Sequence, residues 1–279
     1  MPVTEGARNL LALVRDTGAS VRALRRNQVI HSPAPPSSGL VADVGSGHAA
    51  HPRADVVVDK YVTDDFEREF TLDFSKPLVV ADGHALPFDD GAFAYVIASH
   101  VLEHATDPIL FAAELSRIAD AGFVQVPTRQ AELTFGWPFH PWLIDRDAGT
   151  LVFHPRHESQ APAGEFFHRA FADSALFRVW FGANRHAWHY TLHWSDSFTV
   201  RLHGTSRAQQ TAALDVERAL RTLPSMGARG PQGAVREALR CPHDRGLLED
   251  TPERLVCSAC DRSYPIAGGV PVLLEESAT

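Results

Sequence analysis

The chain has 279 residues, 44% of them hydrophobic and 22% charged, so it can bury a sizeable core and form one large domain with a small appendage. Its formal net charge of −8 disfavours binding to a nucleic-acid backbone, and we expect no nucleic-acid partner. No apolar run is long enough to cross a bilayer and the amino terminus carries no secretory pattern, so we expect a cytoplasmic protein without a membrane span.

The first 38 residues are predicted to form a helical cap and a linker. A helix is expected from about Thr4 to Arg26, with leucine and valine residues at its apolar positions. Prolines and serines dominate residues 31–38, and these residue types sustain neither helix nor sheet.

Four short apolar runs follow, and each of them ends in polar residues or glycine. The first run, residues 40–44, leads into the turn at residues 45–47, where a missing Cβ permits positive φ and a close approach of the backbone to a ligand. The other three runs end at Asp59, at Asp82 and at Ser99. Because the carboxyl ends of parallel strands meet at one edge of a sheet, this pattern predicts a doubly wound α/β fold that binds a nucleoside-containing ligand there.

These motifs resemble those of the class I S-adenosylmethionine-dependent methyltransferases over residues 39–127. The resemblance implies a Rossmann-like seven-stranded sheet with a closing antiparallel hairpin, and S-adenosylmethionine as the cofactor. It places the glycine turn at the methionine part, Asp59 at the ribose, Asp82 at the adenine amino group, and Ser99 and His100 near the methyl group. The predicted cofactor-binding residues are Asp43, Gly45, Ser46, Gly47, Asp59, Asp82, Gly83, His84, Ser99 and His100.

The segment after the glycine turn departs from dinucleotide-binding folds. Only twelve positions separate Gly47 from Asp59, where those folds place about twenty, and Pro52 lies in between. The first crossover helix is therefore expected to be very short or absent. This argues against a nicotinamide dehydrogenase, which needs a helix amino terminus under its pyrophosphate, whereas a sulfonium cofactor has no phosphate.

The second half of the predicted methyltransferase domain, residues 39–203, contains an insertion. A helix from Asp107 and a strand at residues 122–127 precede it, and two strands around residues 195–197 are expected to form the closing hairpin. The insertion, residues 128–185, is the expected source of substrate identity because long insertions often carry function. A hairpin from residues 143–145 to 151–154 and a helix over about residues 165–181 are predicted within it.

Aromatic rings flank His140 within the insertion, between Phe135 and Trp142. Together with Asp145, Arg146 and Arg156, they suit a sugar ring, because apolar faces stack while hydroxyl groups find polar partners. The alternative is that these rings form a small core of the insertion.

Transfer of a methyl group to oxygen requires alignment of the acceptor and removal of its proton. His104 is the first candidate for the base, since related sugar O-methyltransferases place a histidine at the corresponding point, although a histidine there can also merely order the loop. His140 is the second candidate, and Glu103 is the third predicted catalytic residue. If Mg²⁺ assists, Glu103, Asp145 and Asp147 could supply carboxylates.

A helical linker is predicted over residues 204–240, and a compact tail over residues 241–279. The tail resembles the small zinc-ribbon family that activates tRNA and release-factor methyltransferases, on the residues around its three cysteines and the segment 264–274. Two paired knuckles normally supply four zinc ligands. Here the resemblance implies Cys241, Asp244, Cys257 and Cys260, with a fold that binds no zinc as the alternative. The tail is expected to pack on the catalytic domain or to mediate a homodimer.

These observations favour an S-adenosylmethionine-dependent O-methyltransferase acting on a small polar acceptor. A carbohydrate is the favoured acceptor, for example a mannoside in a bacterial polysaccharide or glycolipid pathway. A methyltransferase of RNA or of a translation factor is the alternative; the acidic net charge and the lack of an Asn-Pro-Pro-Tyr type motif after the fourth strand weigh against it. A non-catalytic cofactor-binding scaffold is a third hypothesis, which the acidic residues Asp43, Asp59 and Asp82 disfavour.

Overall fold

The computed structural model describes residues 31–63, 70–156, 161–204 and 216–275. The predicted amino-terminal helix lies outside these residues, as do residues 205–215 of the predicted helical linker. Val216–Thr222 of this linker forms a helix. Within the described residues, every helix is too short or too polar to cross a bilayer.

The centre of the molecule is a parallel sheet of buried strands. These strands are β1 (Val41–Val44), β2 (Val56–Asp59), β3 (Leu78–Ala81), β4 (Tyr95–Ser99) and β5 (Ala121–Pro127). Their order is β3-β2-β1-β4-β5, and the antiparallel strand β8 (His189–Ser195) lies beside β5. The order reverses between β1 and β4, which is where doubly wound sheets bind their ligands. The predicted Rossmann-like α/β class is therefore confirmed.

Helices cover the sheet and begin at capping residues that the sequence supplies. Helix α1 (Pro108–Ile118) begins after Asp107, whose side chain accepts hydrogen bonds from two backbone N–H groups of the first turn. Helix α2 (Arg129–Phe135) is capped by Thr128 and ends at Gly136, which has φ of +69°. A short 3₁₀ turn, Leu102–His104, connects β4 to α1.

After α2, the insertion forms a hairpin and three further helices, the last of which begins at its final residue. The strands β6 (Trp142–Asp147) and β7 (Thr150–Pro155) confirm the predicted hairpin. The single helix predicted near residues 165–181 is two helices, α3 (Gly164–Asp173) and α4 (Ala175–Ala183), followed by α5 (Arg185–Trp188). The break occurs at Ser174, whose extended backbone ends α3 and whose hydroxyl caps α4 by accepting from the Phe177 N–H.

The predicted closing hairpin is wrong, because the strand after β8 does not pair with it. Strand β9 (Val200–Leu202) runs parallel to β7 in a separate sheet of order β6-β7-β9. The chain turns at Asp196, which has φ of +65° and donates its N–H to the Asp120 carbonyl over the end of β5. It then meets the exposed edge of β7, where the apolar Val200 and Leu202 pack against the core.

The tail is continuous with the central sheet. Helices α6 (Val216–Thr222) and α7 (Ala234–Glu237) lie in the linker before it. The tail itself contains strands β10 (Leu248–Asp250), β11 (Arg254–Cys257), β12 (Ser263–Ala267) and β13 (Val270–Leu273). Strand β13 is fully buried and pairs in parallel with β3, so ten of the described strands form one continuous sheet. The tail and the methyltransferase strands therefore share a core that crosses the predicted boundary near residue 240.

Candidate active site

A cavity of about 390 Å³ opens at the carboxyl ends of β1 to β4. Its volume lies in the range of small-molecule sites. The lining residues that the sequence predicted are Gly45, Ser46, Gly47, Asp59, Asp82, Gly83, His84, Ser99, His100 and His104. The lining also includes Lys60, Tyr61, Val101, Thr106 and Phe111, which the sequence patterns did not single out. The separate motifs thus meet at one site.

The glycine turn beneath the cavity depends on the missing side chain at Gly45. Gly45 has φ of +68° and donates its N–H to the Val58 carbonyl at 2.7 Å. A Cβ on Gly45 would lie 2.3 Å from a methyl carbon of Val101, far inside van der Waals contact. Gly47 also has positive φ, at +55°. The turn can therefore bring its backbone against a ligand where another residue would clash.

Asp43 lies behind the turn and does not line the cavity. Its side chain is 2% exposed, and its carboxylate accepts the His51 N–H at 2.8 Å. Burial raises the pKa of Asp43 to about 7, against the hydrogen bond from His51, which lowers it, and Asp59 raises it further. Asp43 therefore holds the loop of residues 45–51 in place from beneath.

Asp82 is fixed as an acceptor at the cavity edge. Its carboxylate lies 2.8 Å from the Lys60 ammonium and 2.6 Å from His84 Nδ1. His84 Nε2 accepts the Asp107 N–H at 3.2 Å, so the ring proton lies on Nδ1 and faces the carboxylate. Burial opposes ionisation, yet the hydrogen bonds from His84 and Lys60 hold the pKa of Asp82 well below its usual range. The carboxylate is thus ionised and oriented, one strand away from Asp59.

His100 occupies a strained position at the end of β4. Its φ is +56°, and its N–H donates to the Gln125 carbonyl at 2.8 Å. The ring nitrogens lie 3.2 Å from the Glu103 carboxylate and 3.2 Å from the Gln125 amide oxygen. The His189 ring packs edge-on at 4.9 Å, and burial lowers the pKa of His189 to about 2, so that neighbour is uncharged. The strained backbone therefore aims the His100 ring at a defined place on the cavity wall.

The three predicted catalytic residues form one buried cluster, defined here as Glu103, His104 and His140. One nitrogen or carboxylate oxygen from each lies within 4.8 Å of those of the other two. His104 lines the cavity, and the His140 ring meets it edge-on at 4.5 Å. Glu103 is fully buried, and among the described residues its Oε2 has no hydrogen-bond partner.

A second buried carboxyl group, which sequence reasoning missed, supports this cluster. Glu132 Oε1 lies 2.5 Å from His140 Nδ1, and Glu132 Oε2 accepts from Arg156 Nη1 at 3.1 Å. Burial, reinforced by Glu103, raises the pKa of Glu132 to about 9, and burial lowers the pKa of His140 well below its usual value. Glu132 lies on α2, eight residues before His140, and the turn at Gly136 brings the two side chains together. Because the contact depends on this turn, the sequence pattern of the helix does not reveal it.

The insertion is anchored against the cavity, but most of its aromatic rings pack on one another. The Trp142 indole donates to the Ala105 carbonyl at 2.7 Å and is 1% exposed. Phe135 and Trp137 belong to a separate cluster with the rings of α4 and α5. This corresponds to the alternative of a small core for the insertion. Phe139 is the exception, since its ring stacks on His104 at 5.6 Å.

The carboxylates considered for Mg²⁺ are not brought together. Asp145 forms a bidentate ion pair with Arg129, at 2.6 to 3.0 Å, and Asp147 pairs with Arg201 at 2.9 Å. Glu103 lies in the buried cluster instead. The structure therefore offers no common Mg²⁺ site from these three carboxylates among the described residues.

The tail brings its four predicted ligands together. Ligand atoms of Cys241, Asp244, Cys257 and Cys260 all lie within 4.8 Å of one another. The Cys241 and Cys260 sulfurs are 3.8 Å apart, and the Cys257 sulfur lies 3.3 Å from an Asp244 oxygen. Zinc–sulfur bonds of about 2.3 Å in tetrahedral geometry separate two sulfurs by about 3.8 Å. The donor set and its spacing thus fit a zinc ion.

Comparisons with known proteins assign families to two parts of the chain. Residues 43–123 match the family model described as a methyltransferase domain, and residues 236–269 match the one described as Trm112p-like protein. A UPF0434 protein of Shewanella sp. (strain W3-18-1) is 44% identical over 45 residues, which are 15% of this chain and 76% of that protein. A UPF0434 protein of Shewanella sediminis (strain HAW-EB3) is 46% identical over 44 residues, 15% of this chain and 73% of that protein.

Solved structures of methyltransferases are similar at low identity. One from Bacillus halodurans C-125 is 19% identical, with 38% of this chain and 51% of that chain covered and a TM-score of 0.28; this chain thus spans about half of its length. A chain in the complex between the Haloferax volcanii Trm112 methyltransferase activator and a methyltransferase is 15% identical to this chain. The match covers 66% of this chain and 95% of that chain, with a TM-score of 0.36. Residues 43–123 thus form a methyltransferase domain, and through its carboxyl-terminal segment the chain belongs to the UPF0434 family of Trm112p-like proteins.

Proposed function

We propose that this methyltransferase transfers the methyl group of S-adenosylmethionine to a hydroxyl group of a small polar acceptor, and that the acceptor is a carbohydrate. The observation that carries this proposal is the buried cluster of Glu103, His104 and His140 beside the cofactor cavity. A hydroxyl oxygen must lose its proton as it accepts a methyl group. The cluster places groups that can remove that proton next to the expected position of the methyl group.

The cavity residues divide into parts that match the cofactor. The glycine turn takes the methionine part, Asp59 accepts hydrogen bonds from the ribose hydroxyls, and the ionised Asp82 accepts one from the adenine amino group. Ser99 and His100 then stand near the methyl group, next to His104. Support for this arrangement comes from the ionised state of Asp82 and from the close backbone approach at Gly45.

The reaction itself is an in-line displacement. The acceptor oxygen forms a bond to the methyl carbon while the bond from that carbon to sulfur breaks, which leaves S-adenosylhomocysteine. The hydroxyl proton leaves toward His104, with His140 and Glu103 behind it. Alignment of oxygen, carbon and sulfur supplies most of the lowering of the barrier, and proton removal contributes a factor of about 10² to 10⁴.

Two features favour a sugar over a charged or extended acceptor. Phe139 presents a partly buried ring stacked on His104, and a ring of this kind can pack on the apolar face of a sugar. The net charge of −8 gives no broad basic surface for a phosphate backbone. The carbohydrate is therefore the acceptor class that we test first.

The Trm112p-like segment favours a second candidate, in which the acceptor is an RNA or a translation factor. The match over residues 236–269 is the specific observation behind it. In this chain the strands of the segment, β10 to β12, continue the sheet beyond β13 and β3, on the other side of β2 and β1 from β4 and the cluster. This position suits a stabilising role, which is why we place the macromolecular acceptor second.

We also propose that Cys241, Asp244, Cys257 and Cys260 hold a zinc ion in the tail. Three thiolates and one carboxylate complete a tetrahedral set with no position left for a reactant, as in structural zinc sites. The ion would stabilise the tail and, through β13, the edge of the central sheet.

The proposed function is tested by the formation of S-adenosylhomocysteine in a mixture of S-adenosylmethionine and the small-molecule fraction of a host extract. We expect turnover by the wild-type protein that depends on this fraction. His104→Ala and His140→Ala should each lower turnover by about 10²-fold or more, with cofactor affinity nearly unchanged. Equal loss of turnover and cofactor affinity would overturn the assignment of these histidines.

A further inference from the structure

We propose that Glu103, His104 and His140 bind a divalent cation of the zinc type between the cofactor cavity and the insertion. This site is separate from the cysteine cluster of the tail and differs from the carboxylate set considered for Mg²⁺. Only the catalytic role of the ion rests on the proposed function, because binding can be measured without an acceptor.

The donor set is the one that catalytic zinc sites use. One carboxylate and two imidazoles leave a fourth position open for water or substrate. Their ligand atoms lie within 4.8 Å of one another, and an ion at the centre of such a triangle needs inward shifts of at most about 0.7 Å to reach bonds of about 2.1 Å. Side-chain rotation alone can supply movements of that size.

Glu103 provides independent support for a ligand. Its side chain is fully buried, and Oε1 faces His100 Nδ1 at 3.2 Å. Its Oε2 is also buried and has no hydrogen-bond partner among the described residues. Buried carboxylate oxygens are costly unless they are paired or coordinate a metal. A cation in the cluster gives this oxygen the partner that it lacks.

His140 is oriented as metal-binding histidines are. Glu132 Oε1 holds Nδ1 at 2.5 Å, which leaves Nε2 as the remaining nitrogen for an ion. Arg156 fixes Glu132 in turn, and its guanidinium also donates to the Trp137 carbonyl at 2.6 Å. The carboxyl group of Glu132 and the imidazole of His140 are thus held in a buried arrangement before any ion binds.

The ion would act directly on the acceptor. Since His104 lines the cavity, an ion held by the cluster would lie beside the cavity in which the acceptor is expected. It would supply Lewis-acid chemistry, lowering the pKa of a nearby hydroxyl group. With the ion bound, His104 and His140 would serve as its ligands, and the hydroxyl proton would pass to water instead of to His104 while the carbon–oxygen bond forms and the carbon–sulfur bond breaks.

The test uses Co²⁺ added to full-length protein that has been freed of metal by chelation. Thiolate ligands in the tail give charge-transfer absorption in the near ultraviolet together with visible bands, whereas a site of one carboxylate and two imidazoles gives visible bands alone. The visible signal of the cluster is therefore the visible absorption that rises without a matching rise in the near ultraviolet. We expect both signals for the wild-type protein. Glu103→Gln and His140→Asn should each lower the Co²⁺ affinity read from the visible signal of the cluster at least tenfold and leave the thiolate signal unchanged. Cys257→Ser should weaken the thiolate signal and leave the visible signal of the cluster unchanged.

Glu114→Gln is the matched control, because it removes another buried carboxylate, one that bonds the Leu86 N–H and Arg117. It should keep both signals. Thiolate-bound cobalt alone in the wild-type protein, or unchanged visible bands in both cluster variants, would overturn the site. Methyl transfer that persists in metal-free protein would remove the catalytic role of the ion and leave the proposed function intact. Cation binding without any methyl transfer would leave the cation site in place and overturn the proposed function.

Discussion

Replacement of Asp43 by asparagine isolates the electrostatic cost of the carboxylate beneath the glycine turn. Asparagine keeps an oxygen that can accept the His51 N–H, and it has nearly the same shape. The variant therefore removes ionisation while the loop geometry stays in place. Its effect on stability should depend on pH, and this dependence separates the charge from any change in packing.

The magnitude follows from the pKa of Asp43, which is raised to about 7 against about 3.9 in the unfolded chain. Between these two pKa values Asp43 binds more protons in the folded state than in the unfolded state. The contribution of Asp43 to the free energy of unfolding therefore falls as the pH rises, and it levels off above about pH 7. The full shift corresponds to about 4 kcal/mol. The amide of the Asp43→Asn variant does not titrate, so the variant should gain about 3 kcal/mol relative to wild type between about pH 5 and about pH 8.

Urea unfolding of both proteins at the two pH values measures this gain. Packing effects of the amide group cancel, because they are present at both pH values. The expected result is a difference in the free energy of unfolding that moves in favour of Asp43→Asn as the pH rises. A difference that stays constant, or moves in favour of the wild type, would refute the raised pKa of Asp43.

Two further substitutions test the structure beneath the proposed function. Gly45→Ala should abolish cofactor binding in calorimetry, because the new Cβ would lie 2.3 Å from Val101. Gly227→Ala is the control, since Gly227 has a similar φ of +67° but no atom within 4 Å of a new Cβ. Equal effects of the two substitutions on cofactor binding would contradict the clash. Leu273→Ala, at a position 1% exposed on β13, should cost about 2 to 5 kcal/mol and leave a single unfolding transition, since the tail shares the core of the sheet. Two separate calorimetric transitions would show that the tail folds apart from the methyltransferase strands.

The cavity could be predicted from the sequence because each of its parts follows a strand that is visible as a short apolar run. Runs such as the three valines at positions 56–58 are typical of strands buried on both faces of a parallel sheet, in which the polar residues after them meet at one edge. Ten predicted residues line that edge in the structure. Local patterns and a general rule of sheet topology were sufficient for this part of the site.

Long-range pairings explain what the sequence did not reveal. Strand β9 alternates apolar and polar residues as a hairpin partner would, but the turn at Asp196 directs it to β7 instead. The contact between Glu132 and His140 depends on the αL turn at Gly136, and no pattern identifies Glu132 as buried. The merger of β13 with β3 likewise depends on two edges separated by almost 200 residues.

The most direct test of the central claim follows a radiolabelled methyl group from S-adenosylmethionine into a host extract. The products are separated by size and treated in parallel with glycosidase, protease or nuclease. The proposed function predicts label in a small fraction that glycosidase releases, and loss of this label with the His104→Ala variant. Label in protein or RNA would contradict the carbohydrate acceptor and support the second candidate, in which the Trm112p-like segment serves a macromolecular substrate.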